Sequence, residues 1–503
     1  MQRLCSPTAF LLLCLVQLNA VPAADVPPNI VVILADDMGY GDVQALNTDS
    51  SIPTPHLNAL AASGMTFSDA HSPSAVCTPT RYGLLTGRYC WRSRLKRGVL
   101  GGYSPPLIEP GRETVADMLK SAGYQTGAVG KWHLGMTLPM KSGADTDGSQ
   151  WAGDPGVDFA GVITNSPIHH GFDQYFGVSA SLDMAPYVYI RDDRFTRVPT
   201  IQQKAVKFPH FVRSGPRSDD FIIDEVLDRI TEEAVSFIQS AAVTEDPFFL
   251  YVPLTGPHKP TQPHERFRGS TELGEYGDFI VQVDWTVGQI SDALAKSGVA
   301  DDTVLMFSSD NGSYMYRYDD SSRSDHVDDN SIQGFVASHH TANRDFRGTK
   351  ADIWEGGHHV PFFVRWPGQA EAGSSCDTPV CLVDIFATCA ELANVDYERD
   401  TAEDSCSLLP LIRQQSTSRG APVIHHSVAG MFAIRDGRWK LVLGNGSGGR
   451  QQPKGKPFDK SWELYDMAQD ETESTNVAAE HPDVVDRLHN IFQTLHDSGR
   501  SAP

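Results

Sequence analysis

Four stretches of this 503-residue chain share one design: a short apolar run that ends abruptly in charged or polar residues. Asn29–Ala35 reads Asn-Ile-Val-Val-Ile-Leu-Ala and runs into Asp36-Asp37-Met38-Gly39-Tyr40-Gly41. Thr126–Val129 runs into Gly130-Lys131-Trp132-His133. Phe248–Leu254 runs into Gly256-Pro257-His258-Lys259, and Thr303–Phe307 into Ser308-Ser309-Asp310-Asn311-Gly312. Continuous rather than alternating apolarity is the pattern of strands buried on both faces. Between these runs lie residues at helical spacing: Leu57, Leu60 and Ala61 before Gly64, placed to end the helix; Val115, Met118, Leu119 and Ala122; Val226, Ile230, Ala234 and Phe237; and Phe279–Leu294. Strand alternating with helix predicts an α/β fold, a mostly parallel central sheet sandwiched by helices. In such sheets ligands bind beyond the carboxyl ends of the strands. Asp36, Lys131, His258 and Asp310 all fall there.

The region from about Met136 to Ser218 has no clear period and reads as long loops over the sheet. Val380–Leu392 reads as an apolar helix. Beyond it the texture changes: Met431–Leu443 alternates around Asp436-Gly437, a hairpin signal, Trp462–Tyr465 adds a strand, and Val484, Leu488, Ile491, Phe492 and Leu495 form a closing amphipathic helix. Gly444–Gly455 reads as a loose hairpin tip. These features predict a catalytic domain over 25–408 and a small antiparallel sheet-plus-helix subdomain over 409–503.

The net charge of -22 and the absence of a long basic run argue against nucleic-acid binding. Arg3, the apolar run Ala9–Leu18 and the small residues Ala20, Ala23 and Ala24 read as a secretory signal peptide over 1–24, too short for a transmembrane span. The protein is therefore expected to be secreted or periplasmic, and no later segment suits a membrane crossing. Without that segment six cysteines remain: Cys77, Cys90, Cys376, Cys381, Cys389 and Cys406. Cys376 with Cys406 is a possible disulfide, while Cys389 suits a packed thiol. Asn445-Gly446-Ser447 is expected to be an exposed glycosylation sequon.

Asp36, Asp37, Asp310 and Asn311 offer three carboxylates and an amide oxygen, the donors that a hard cation such as calcium or magnesium takes. Each pair alone would also suit a strand-end turn. Cys77 opens Cys-Thr-Pro-Thr-Arg, followed by Leu85-Thr86-Gly87-Arg88. This stretch resembles the signature of type I sulfatases, with Thr80 where many members carry Ser. The resemblance extends to Gly-Lys-Trp-His-Leu-Gly at Lys131 and His133, to Pro-His-Lys-Pro at His258, to Arg-Gly-Thr-Lys at Lys350 ahead of Trp354-Glu355-Gly356-Gly357, and to His169-His170-Gly171-Phe172-Asp173. It continues through Arg435–Lys440 and Glu463–Asp466.

The resemblance implies an alkaline phosphatase-like fold. It also implies that Cys77 is oxidised after translation to formylglycine, whose hydrate is the nucleophile, so a formylglycine-generating or equivalent maturation enzyme is an expected partner. Asp36, Asp37, Asp310 and Asn311, with position 77, would hold one calcium ion. Arg81 would orient position 77. Lys131 and Lys350 would stabilise the sulfuryl oxygens, His133 would act as base and His258 as acid. Substrates would be sulfated carbohydrates or aryl sulfates. Tyr89–Pro106 is similar to secreted bacterial sulfatases that take the 6-sulfate from galactose or N-acetylgalactosamine, and His340 and Asn343 resemble sugar-contacting positions of exo-acting members. The segment Tyr314–Arg347 reads either as a solvated loop or as a wall of the substrate pocket. Two other readings remain: a phosphatase or phosphonate monoester hydrolase of the same superfamily, which would need a second set of metal ligands where this chain has lysines, and an inactive carbohydrate-binding relative, which an unmodified Cys77 would produce.

Overall fold

The computed structural model describes residues 27–503 apart from Asp145 and Asp147. The proposed signal peptide, with Cys5 and Cys14, lies outside the described residues. In chain order the elements are β1 (Asn29–Asp36), α1 (Pro55–Ser63), β2 (Met65–Phe67), β3 (Ala70–His71), α2 (Cys77–Thr86), α3 (Val115–Ser121), β4 (Gln125–Lys131), β5 (Gln174–Val178), β6 (Ile190–Arg191), β7 (Arg194–Phe195), β8 (Ile201–Gln203), β9 (Gly215–Arg217), α4 (Val226–Ala241), β10 (Phe248–Pro257) and α5 (Gly274–Lys296). They continue with β11 (Thr303–Ser309), β12 (Tyr316–Tyr318), β13 (Gly334–Val336), α6 (Glu355–His358), β14 (Phe362–Arg365), β15 (Ser374–Cys376), β16 (Val380–Cys381), α7 (Ile385–Leu392), α8 (Leu409–Ile412), β17 (Val423–His426), β18 (Phe432–Asp436), β19 (Trp439–Val442), β20 (Glu463–Asp466) and α9 (Pro482–Asp497).

The central sheet has the order β15-β2-β14-β11-β1-β10-β4-β5-β6-β7. Its middle, β11-β1-β10-β4-β5, is parallel throughout. Antiparallel partners flank it, β14 on one side and β6 on the other. The apolar runs form its centre because they are covered on both faces: Ile30, Val31, Ile33 and Leu34 have no exposed surface. Each such side chain contributes roughly 1.5–3 kcal/mol by leaving water. Since β11, β1, β10 and β4 are parallel neighbours, the residues that follow them emerge side by side on one edge.

Several expectations are corrected. The region 136–218 is not all loop: β5 pairs in parallel with β4, from Gly127–Gln174 to Lys131–Val178. Gly64 does end α1, as expected, with an extended backbone, φ -133°, that leads straight into β2. The stretch Val380–Leu392 opens with β16, which pairs with β3, and becomes α-helical only from Ile385. Cys376 and Cys406 are separate thiols, as are the other described cysteines, and Cys389 is fully buried. Asn445 is half-buried, its Oδ1 accepts from Lys456 N–H at 3.1 Å, and Ser447 is buried. Gly444–Gly455 is no loose tip. Ile353 N–H donates to the Ser447 carbonyl at 2.7 Å, and a methyl group on Gly449 would sit 2.3 Å from the Ala351 carbonyl oxygen.

The chain's last part forms the antiparallel sheet β17-β18-β19-β20. Leu488 and Phe492 of α9 pack with Phe432, Ile434, Leu441 and Leu464. This sheet supports the site from below: Ala75 N–H, two residues before Cys77, donates to the His426 carbonyl at 3.0 Å. No helix among the described residues is long and apolar enough to cross a membrane.

Candidate active site

Cys77 is the first residue of α2, a helix buried along its whole length. That position places the positive end of the helix dipole at the side chain. One turn later, Arg81 points along the same face. Its Nε and one terminal nitrogen donate to Asp310 Oδ2 at 3.0 and 2.7 Å, the other terminal nitrogen donates to the Lys131 carbonyl at 3.1 Å, and Asp36 Oδ1 lies 3.6 Å away. Arg81 thus stitches α2 to the ends of β11, β1 and β4.

Beyond β1, Lys131 Nζ donates to Asp36 Oδ2 at 2.7 Å. Asp37 turns into the left-handed region, φ 65°, so that its N–H reaches Asp310 Oδ1 at 3.2 Å. Its Oδ1 accepts from Asn311 Nδ2 at 2.7 Å and from Lys350 Nζ at 2.5 Å. Lys350 Nζ also lies 3.6 Å from Cys77 Sγ. Gly130 lets β4 deliver Lys131 here. Its φ is +134°, and a side chain would place Cβ 1.9 Å from the Pro253 carbonyl oxygen of β10.

The two histidines present free nitrogens. His133, also left-handed at φ 57°, donates Nε2–H to the Leu100 carbonyl at 2.8 Å, and its buried Nδ1 has no hydrogen-bond partner. A non-glycine residue in this conformation costs about 1–3 kcal/mol, a strain that clusters at functional sites. His258 donates Nδ1–H to the Lys259 carbonyl, leaving Nε2 3.6 Å from Asp37 Oδ2. Burial and Lys131 hold His133 well below the usual imidazole value, and burial, Lys350 and Lys131 do the same to His258. Burial pushes Asp36 up to about 7 despite Lys131, and the Cys77 thiol up to about 11 despite Lys131 and Lys350. Burial would also raise Asp310, but Arg81, Lys131 and Lys350 outweigh it and keep this carboxylate below its ordinary value.

Donor chemistry fits a hard cation. Asp36 Oδ1, Asp37 Oδ2 and Asn311 Oδ1 are buried and accept no hydrogen bond. Leaving three such oxygens dry and unpaired is costly unless a cation holds them. One ligand atom from each of Asp36, Asp37, Cys77 and His258 lies within 4.8 Å of the others. Asp310 faces the group as well, although its Oδ2 is already committed to Arg81.

A cavity of about 360 Å³ opens onto Cys77, Asp37, His133, His258 and Lys350. Besides Tyr314, from the segment read as a possible pocket wall, its outer wall comes from residues the sequence did not single out: Trp151, Ser181, Asp183, Met184, Arg213, Lys259 and Arg450. Arg213 pairs with Asp183 and stacks 5.1 Å from the Trp151 ring. Arg450 donates to the Tyr314 carbonyl at 2.8 Å, and its N–H to Asp352 Oδ1 at 2.5 Å. Lys259 could have been found as the neighbour of His258; Arg450 was hidden in the glycine-rich stretch. His340 and Asn343 do not line this cavity. His340 Nε2 lies 2.8 Å from Asp42 Oδ1, and Asn343 bonds Ser313 through both amide atoms, accepting at 2.7 Å and donating at 3.1 Å. The segment Tyr314–Arg347 contributes Tyr314 to the cavity, while β12 and β13 pair with each other. The stretch around Gly171 braces α3 against β4: Thr114 Oγ1 donates to the His170 carbonyl at 2.9 Å, and Thr126 N–H to Asp173 Oδ2 at 2.9 Å.

Lysines, a helix N-terminus and a cation-ready oxygen cluster around one reactive position define an enzyme that acts on an anionic ester. The family model described as Sulfatase matches residues 28–395. An N-acetylgalactosamine-6-O-sulfatase of Bacteroides thetaiotaomicron is 32% identical over 93% of this chain and 93% of its own. The mouse N-acetylgalactosamine-6-sulfatase is 28% identical over 99% of this chain and 86% of its own. A solved chain from work on glycosaminoglycan metabolism by Bacteroides thetaiotaomicron superposes with a TM-score of 0.79 at 31% identity, covering 93% of this chain and 99% of that one. The chain belongs to the sulfatase family, with its alkaline phosphatase-like fold, and is a sulfuric ester hydrolase.

Proposed function

We propose that this enzyme removes sulfate from a sulfated sugar, of the galactose or N-acetylgalactosamine 6-sulfate type, using position 77 after conversion of Cys77 to formylglycine by a maturation enzyme, together with one calcium ion. Calcium is carried by one observation: the three buried, unpartnered oxygens of Asp36, Asp37 and Asn311 beside Cys77. These residues, with Asp310, would hold the ion. When present, the ion supplies fixed positive charge next to the sulfate, and the hydrated aldehyde supplies paired hydroxyls that a thiol lacks.

The remaining work falls to this chain's side chains. Lys131 and Lys350 carry charge to the sulfuryl oxygens without reorganising, because Asp36 and Asp37 already hold them. His133 receives a proton on Nδ1, the nitrogen with no other partner, while the Leu100 carbonyl fixes its tautomer. His258 directs Nε2 toward the same cavity; because its Nδ1–H is held by the Lys259 carbonyl, it serves the leaving oxygen as an acid only once Nε2 has also taken up a proton, a state that Asp37 Oδ2 at 3.6 Å and the anionic ester favour. Arg81 positions Asp310 and α2 and does not line the cavity. The sugar reading rests on the relatives named for N-acetylgalactosamine 6-sulfate, and the cavity wall suits it. Trp151 offers a flat face, and Asp183 Oδ1 and Ser181 Oγ are buried without partners, as groups meant for hydroxyls would be. The apolar run Ala9–Leu18 supports export from the cytoplasm.

Two measurements test this. Mass spectrometry of the peptide containing position 77 should show an aldehyde in active enzyme; an alkylatable thiol in a fully active preparation would sink the modification. A screen of defined sulfated monosaccharides should release sulfate fastest from the 6-position of the galacto sugars. Preference for a phosphate or phosphonate monoester would favour the other superfamily reading.

A further inference from the structure

Away from the catalytic cavity, three histidines from distant parts of the chain meet where the C-terminal sheet touches the rest of the fold: His71 on β3, His358 on α6 and His425 on β17. All three rings have no exposed surface. One ring nitrogen from each lies within 4.8 Å of the other two.

The hydrogen bonds fix which nitrogens are available. His71 Nε2 lies 2.6 Å from Asp69 Oδ1, and a carboxylate can only accept, so Nε2 carries the proton and Nδ1 a lone pair. His358 Nε2 has two partners that ask for opposite tautomers: the Ile353 carbonyl at 2.9 Å calls for a proton on Nε2 and leaves the lone pair on Nδ1, the metal-ready form, whereas Lys440 Nζ at 3.1 Å can only donate to it. His425 commits Nδ1 to the Ser72 carbonyl at 3.3 Å and leaves Nε2, buried and without a partner. In the metal-ready form the two lone-pair nitrogens of His71 and His358 are 3.1 Å apart. Neutral imidazoles in that arrangement repel. Two nitrogens bound at about 2.0–2.1 Å to one tetrahedral zinc ion stand about 3.3 Å apart.

We propose that His71, His358 and His425 form a second metal site, selective for a zinc-type divalent transition ion, which ties β3 and α6 to β17 of the C-terminal sheet. Three neutral imidazoles suit such an ion and not calcium. Each ring's other nitrogen is fixed by a carboxylate or carbonyl, as metal-ligating histidines generally are. Glu355 Oε2 lies 3.9 Å from His71 Nδ1 but is held by His359 Nδ1 at 2.8 Å, so the fourth position falls to water unless that bond is given up. A cavity of about 340 Å³ reaches Asp69, Glu355 and His359, the neighbours of His71, but none of the three histidines lines it, so an ion would enter only as these side chains move. The rings of His358 and His425 are stacked at 4.0 Å and 10°, so one must tilt for both lone pairs to face the ion. Lys440 Nζ, 3.1 Å from His358 Nε2, marks the competing state. There Lys440 donates to His358, the proton moves to His358 Nδ1, and His358 bonds His71 with no metal between them.

The test is zinc and cobalt(II) binding to the full enzyme in saturating calcium, which occupies the oxygen donors around Asp37. Metal analysis after dialysis should find about one zinc per chain, and cobalt should give the intense visible bands of a low-coordinate nitrogen-rich site. His425→Gln should abolish both signals. Asp69→Asn, which removes no ligand, should weaken zinc binding about 10–100-fold. If His425→Gln does not fold, the wild-type cobalt spectrum and Asp69→Asn still decide. Wild-type enzyme that holds no zinc in saturating calcium would overturn the site in favour of the Lys440–His358–His71 proton chain. Unchanged zinc in folded His425→Gln would overturn it too. Neither result depends on which sulfate ester the enzyme cleaves.

Discussion

Lys350 has two partners, and a neutral replacement separates what it does for each. Lys350→Met keeps the unbranched chain but removes the ammonium that lies 2.5 Å from Asp37 Oδ1 and 3.6 Å from Cys77 Sγ. Burial would lower this amine, yet Asp37, Cys77 and Asp36 outweigh it and hold the charge in place. If Lys350 were only the counter-ion of Asp37, its removal would break a buried pair, at about 3–5 kcal/mol of stability. The structure argues for less, because Asp37 Oδ1 keeps Asn311 Nδ2 at 2.7 Å and methionine fills the lysine's volume. If Lys350 faces the sulfuryl oxygens, turnover loses a preorganised charge, which costs about 10²–10³ in kcat, or about 2.7–4 kcal/mol. The expected result is a kcat at saturating sulfate ester lowered at least about a hundredfold, with a small shift in the denaturation midpoint. Lys350→Arg should recover little, since a planar guanidinium cannot reproduce a point charge between Asp37 and position 77. A large loss of stability with kcat within about threefold of wild type would refute the reasoning and leave Lys350 as a structural counter-ion.

Asp37→Asn removes one negative charge from the oxygen cluster, and calcium titration of chelator-treated enzyme should show half-maximal activity at a concentration at least about tenfold higher; an unchanged titration would place the ion elsewhere. Gly449→Ala forces Cβ to within 2.3 Å of the Ala351 carbonyl oxygen and 2.4 Å of Asp352 Oδ1, moving the loop that carries Arg450 by about 1 Å. Efficiency on a sulfated sugar should fall up to about a hundredfold and efficiency on a small aryl sulfate much less; equal loss on both would mean that Arg450 does not serve the sugar. His426, lowered by burial from 6.5 to about 4, makes folding sensitive to acid. The unfolded chain takes this proton below about 6.5 and the folded chain only near 4, so stability is full above that window and falls by about 3 kcal/mol as pH drops through it. His426→Gln should reduce, not abolish, the slope of the unfolding temperature against pH between these values, because other buried histidines such as His133 and His258 share it; a slope like that of wild type would show that His426 contributes none of it.

The centre of this fold was legible because the sheet covers both faces of its middle strands. Burial on both sides makes Ile30–Leu34, Phe248–Leu254 and Val304–Phe307 continuously apolar, and the polar residues that follow them are placed by parallel pairing, which needs no side-chain detail. β5 was missed for the opposite reason. Gln-Tyr-Phe-Gly-Val is short, contains a glycine and owes its strand conformation to pairing with β4, a tertiary effect that its own pattern does not encode.

The limits at the site have the same origin. Cys77, Arg81, Lys131, His133, His258 and Lys350 sit in compact motifs, so a resemblance could carry them one by one. Trp151, Asp183, Arg213 and Arg450 come from four loops with no common spacing, and only the folded chain brings them to one wall. His340 and Asn343 show the converse hazard. Both are polar residues near active-site stretches, yet their hydrogen-bonding capacity goes to Asp42 and Ser313. A buried polar group must find partners wherever the chain places it. A functional reading of such a residue therefore turns on which atoms remain unpaired. By that criterion Asp36 Oδ1, Asp37 Oδ2, Asn311 Oδ1 and His133 Nδ1 mark the candidate active site, and His425 Nε2 marks the place where β17 meets β3 and α6.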